Sequence, residues 1–169
     1  MNRAQRWSRL WARSFMWPRI GVLLMCAAFA ATTARAEFLH IEVFIHDMNC
    51  ESCSETLAAS LKRMRGVEQA EVDFKAATVR LDLAEKNRIG VEQVWDAIKR
   101  VGFTPGETKV SVRGVLKASK LEVPEIGKTF EIQFRPGARA PEGDSVELTG
   151  VITPPPDPRT PVVIRVTKP

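Results

Sequence analysis

The chain has 169 residues and a formal net charge of +5, with a sequence pI near 9.4. Its basic residues are unevenly placed: Arg3, Arg6, Arg9, Arg13 and Arg19 precede an apolar run from Ile20 to Ala31, and Ala34-Arg35-Ala36 has the small-x-small form of a signal-peptidase site. Cleavage after Ala36 removes six arginines and no acid and leaves a net charge of −1, so the high pI carries no argument for a nucleic-acid partner.

Residues 1–36 therefore read as a signal peptide. The apolar run is about a dozen residues, short of the roughly 20 that a spanning helix needs. Met16 is an alternative start, because it leaves a compact signal of conventional form. No Arg-Arg pair precedes the run, which points to ordinary secretion, and Met25 before Cys26 is a poor match to a lipoprotein site. Cys26 leaves with the signal, so the mature chain holds only Cys50 and Cys53. Two cysteines exclude a multi-bridge disulfide scaffold. In an oxidising compartment such a pair is a redox dithiol, an inert bridge or a metal site.

Leu39, Ile41, Val43 and Ile45 alternate with polar residues or Phe44 and predict a first strand over 38–45. Leu57, Leu61 and Met64 recur at helical spacing before Gly66 and predict a helix over 52–64, which places both cysteines at its N-terminus. A second strand carries Val67, Ala70, Val72 and Phe74, and a third carries Val79, Leu81 and Leu83, with Lys75-Ala76-Ala77 as the hairpin between them. Val91, Val94, Trp95, Ile98 and Val101 mark a second helix that closes at Gly102, and a fourth strand follows over about 107–113. The fold class is α+β: the order βαββαβ is ferredoxin-like, with two helices on one face of a four-stranded antiparallel sheet over residues 37–113.

From Gly114 the periodicity is strand-like only, at Lys128–Phe134, Ser145–Ile152 and Val162–Val166. Residues 114–169 are expected to form a separate small all-β domain, a barrel or sandwich. Pro154-Pro155-Pro156-Asp157-Pro158 would be an extended loop, with a second loop over 135–144. That region contains neither Cys nor His.

The chemistry sits in His46-Asp47-Met48-Asn49-Cys50-Glu51-Ser52-Cys53. Soft cations prefer thiolate, and two cysteines flanking two residues can place both sulfurs on one ion. A helix N-terminus stabilises thiolate over thiol. His46, His40, Asp47 and Met48 are weaker candidates for an added ligand, each with a structural alternative. Lys62, Arg63 and Arg65 complement the dipole at the first helix end. No catalytic triad, paired-carboxylate site or phosphate loop is present, so no enzyme is expected.

Met48-x-Cys50-x-x-Cys53 opening a helix, with Gly102-Phe103 after the second helix in a βαββαβ order, resembles the heavy-metal-associated domain family over residues 38–113. The resemblance implies that Cys50 and Cys53 are the metal ligands, that Met48 packs beneath the loop and that Phe103 lies near it. The family's usual Gly-Met-Thr-Cys is here Asp47-Met48-Asn49-Cys50.

The expected function is that of a periplasmic metallochaperone or scavenger. It would bind Cu(I) or Hg(II), with Zn(II) or Cd(II) as further options, and pass the ion to a metal-transporting membrane protein. It would have no nucleic-acid partner and no stable membrane insertion after signal cleavage. The alternatives are an interaction module with an inert disulfide and a periplasmic dithiol oxidoreductase.

Overall fold

The computed structural model describes residues 36–137, 141, 145–157 and 160–168. The signal-peptide reading, with Cys26, Met16 and Ala34-Arg35, falls on residues outside those described.

Strand β1 (Glu37–Ile45) leads to helix α1 (Glu51–Lys62), then β2 (Val67–Asp73), β3 (Thr78–Leu83), α2 (Val91–Val101) and β4 (Pro105–Lys117). β1 lies between β3 and β4, and β2 pairs with β3, all antiparallel. The expected βαββαβ arrangement is present. Period-two alternation buries Ile41, Val43, Ile45, Val79, Leu81, Val110 and Val112 beneath Leu57 and Leu61 of α1 and Val94, Trp95 and Ile98 of α2.

Each helix has an identifiable start and stop. α1 is capped by Cys50, whose sulfur accepts from the Cys53 N–H at 3.3 Å. α2 begins where Gln93 Oε1 accepts from the Gly90 N–H, and it ends at Gly102, whose φ of +101° lets the Phe103 N–H reach the Ile98 carbonyl at 3.2 Å. That left-handed turn aims Phe103 inward, where it is buried.

The fourth strand departs from expectation, because it does not stop at residue 113. β4 runs on to Lys117 and hairpins into β5 (Lys120–Val123), which was not anticipated. A single 3₁₀ turn (Pro124–Ile126) leads to β6 (Lys128–Gln133), followed by β7 (Val146–Ile152) and β8 (Val163–Lys168). β5 pairs with β6, β6 with β8 in parallel, β8 with β7, and β7 returns to β4. The pairings form a closed ring of five strands, which leaves no open edge in that ring.

The expected boundary between residues 113 and 114 therefore lies inside β4. Residues 114–168 do not make a separate all-β domain; their strands complete a barrel whose first wall belongs to the ferredoxin-like sheet. Gly114 is the pivot of this arrangement. A Cβ there would sit 2.7 Å from the Glu122 carbonyl and 2.9 Å from Leu121 Cγ, so only glycine lets β5 come this close. The core is continuous across the junction: Phe38 of β1 meets Phe130 of β6 edge-on, with ring centroids 5.6 Å apart.

Candidate metal centre

The connection from β1 to α1 carries the site. The Cys50 side chain caps α1 and Cys53 lies in its first turn, so the Cys53 N–H and the positive helix end face the Cys50 sulfur. Ser52 Oγ lies 3.4 Å from Cys50 Sγ. Cys50 and Cys53 are joined as a disulfide, with their Cα atoms 5.2 Å apart. The two sulfurs thus converge on one point at the surface, and both residues are only half-buried.

The other residues weighed as ligands are engaged elsewhere. Met48 packs against the hydrophobic core. His46 is exposed, with its ring edge-on to Phe44 at 5.3 Å. His40 Nδ1 lies 2.6 Å from Asp82 Oδ1 on the open face of the sheet. Asp47 accepts two bonds from Thr104, one from its N–H at 2.9 Å and one from its hydroxyl at 2.8 Å, and the His46 N–H donates to the Thr104 carbonyl at 3.1 Å. Those two Thr104 bonds, with the nearby His46 charge, hold the Asp47 carboxyl below the usual carboxylate range.

Three hydrogen bonds therefore tie the loop before the cysteines to the turn that carries Phe103. Sequence reasoning missed Thr104 altogether. It lies 57 positions from Asp47 and belongs to no motif. Trp95, expected in the core, is 3% exposed, and its indole N–H donates to Thr108 Oγ1 at 2.9 Å. Among the described residues no group of three or more His, Cys, Asp or Glu side chains converges. No His, Asp or Glu side chain among the described residues joins the cysteine pair in such a group.

Comparison with known proteins fits this geometry. The heavy-metal-associated domain model matches residues 42–104. The copper chaperone CopZ of Staphylococcus haemolyticus is 37% identical over 59 residues, which cover 35% of this chain and 85% of that protein. The chain belongs to the heavy-metal-associated domain family. Solved structures similar to this family member include a CopZ metallochaperone, at 23% identity and a TM-score of 0.37 over 39% of this chain and 97% of that one. Oxidized MerP from Ralstonia metallidurans CH34 is another, at 16% identity and a TM-score of 0.37 over 40% and 93% of the two chains. The family match ends at residue 104, one position before β4 begins.

Proposed function

We propose that this protein is an exported carrier that takes Cu(I) or Hg(II) as cargo on Cys50 and Cys53 and passes it to a thiol-bearing membrane transporter. The observation that carries the reading is the convergence of both sulfurs at the half-exposed N-terminus of α1. An external dithiol, itself oxidised to a disulfide, supplies the two electrons and two protons that open the bridge to two thiols, and an incoming soft cation displaces those protons. The Cys53 N–H and the helix end favour the thiolate at Cys50.

With two protein sulfurs and no added donor of the types above, the shell stays open to a third thiolate from an acceptor. That is what stepwise transfer needs. Similarity to a protein named as a copper chaperone favours Cu(I) over Hg(II). The Arg-rich, apolar start and its Ala34-Arg35-Ala36 site support export to the periplasm. The chain would then act as a carrier and not as a catalyst.

Titration of the reduced protein with Cu(I) and Hg(II), under an anaerobic atmosphere, tests this. One ion per chain is expected, with binding lost in Cys50→Ser/Cys53→Ser. Absence of stoichiometric binding, or equal binding by the double variant, overturns it. The disulfide itself favours one second reading, thiol–disulfide exchange, which an insulin-reduction assay checks directly.

A further inference from the structure

On the sheet and barrel, Arg80 and Lys109 bond to Glu42, Arg113 to Glu147 and Lys117 to Glu122, while Lys128 reaches Glu92. Lys75, Lys120, Arg135, Arg165 and Lys168 are exposed there without such a partner among the described residues, and Arg135 and Arg165 share a cleft with Glu107. On the helical side Lys62, Arg63, Arg65, Arg88, Lys99 and Arg100 are all exposed, and none pairs with a carboxylate among the described residues. Four of them, Arg65, Arg88, Lys99 and Arg100, line one open cleft of about 950 Å³ between the turn after α1 and the flank of α2. Met64 and Ile89 share that lining, and Asp96 is the one carboxylate in it.

Helix dipoles account for most of these cations: Lys62, Arg63 and Arg65 sit at the C-terminal end of α1, and Lys99 and Arg100 in the last turn of α2. Arg88, however, lies two residues before the Gly90 cap of α2, at the positive end of that helix, where a cation is disfavoured. Like charges gathered on one face also repel one another. Arg88, at the wrong helix end and in one cleft with Arg65, Lys99 and Arg100 against the single carboxylate of Asp96, leaves an excess of positive charge that an anionic partner would offset.

We propose that this face seats the protein on an anionic phospholipid surface, with a headgroup phosphate entering the cleft between Arg65, Arg88 and Lys99. Arginine supplies four of the six cations, and its planar fork matches phosphate oxygens in pairs. The cations project from an open face on long stems. Such a face suits a charged plane, which asks for no shape complementarity. Each Lys or Arg held near such a surface strengthens association about fivefold.

The cations span the helical side, from the far end of α1, about 18 Å along that helix from the Cys50 cap, to the last turn of α2. The inference does not rest on metal binding.

Because residues 1–35 carry arginines of their own, the test must resolve individual residues. The full chain is mixed with phosphatidylcholine vesicles, with or without about a third phosphatidylglycerol, and acetylation of each lysine is followed by mass spectrometry. Lys62 and Lys99 are expected to react at least about fivefold more slowly on anionic vesicles, while Lys109 and Lys117 keep their rates. Salt near 1 M, where the Debye length is about 3 Å, should remove the protection.

Arg65→Glu/Arg88→Glu should abolish the protection without changing the circular dichroism spectrum, and Cys50→Ser/Cys53→Ser should leave it intact. Equal protection of all four lysines, no protection, or protection by soluble polyglutamate but not by vesicles overturns the proposal.

Discussion

The two halves of this molecule use β4 differently. In the ferredoxin-like half it is a sheet edge covered by helices, and the loops at one end of that sheet hold the cysteines, Asp47 and Thr104. In the barrel half the same strand is one wall of a closed ring that contains neither Cys nor His. One half carries reactive groups on loops, and the other closes its hydrogen bonds on itself. The difference teaches that the barrel is bound to the metal-loop half through shared backbone, so the two should gain and lose structure together.

The severest test of that coupling is removal of one side. A chain ending at Arg113 loses β7 from the edge of β4, where seven residues from Thr108 to Gly114 are paired, and it uncovers Phe38. It is expected to aggregate or to melt without cooperativity, as sedimentation and circular dichroism would show; a sharp native-like transition would mean the halves are independent. Phe130→Ala asks the same question more gently. Losing a buried phenyl costs about 3–5 kcal/mol, which lowers the midpoint by on the order of 10 °C in a chain of this size. The telling readout is amide hydrogen exchange in α1 and α2. Faster exchange in α1 as well as in α2, which borders Phe130, is the expected sign of a single cooperative unit.

The legible parts of the fold are those with local periodicity. β1, β3 and α2 follow directly from alternation or helical spacing, and the cysteine pair was placed correctly at a helix start. Gly114 misled because a glycine inside a strand usually signals an end, whereas here its missing Cβ admits the backbone of β5. β5 has only four residues, too few for a period to show. The Asp47–Thr104 contact is set by topology, since the β1–α1 loop and the α2–β4 turn meet only after the sheet has formed. The oxidation state of Cys50 and Cys53 is not encoded by spacing at all.

A smaller expected effect concerns how α2 is fixed to the shared strand. Trp95 donates to Thr108 Oγ1, whose hydroxyl in turn donates to the Gly106 carbonyl at 3.1 Å. Trp95→Phe removes the first bond and leaves the second, so the buried Thr108 keeps a partner. The cost should be about 1 kcal/mol plus a small packing loss, measurable as a shift in urea midpoint at constant slope.

The smallest effect belongs to the Asp47 clamp, and its pH dependence separates it from the others. Asp47 is exposed, so its two bonds to Thr104 are screened by solvent, and Asp47→Ala should cost only about 0.5 kcal/mol near neutral pH. Its carboxyl is held below the usual range by those same bonds. A depressed carboxylate stabilises the fold fully above its unfolded pKa, near 3.9, and the contribution fades as pH falls through the lower folded value. The stability gap between wild type and Asp47→Ala should therefore stay constant from about pH 7 to pH 5 and close only in more acidic solution. A gap that closes between pH 6 and pH 5 would mean that a group other than this carboxylate carries the effect, and Asp47 would lose its place as the residue that ties the cysteine loop to the start of β4.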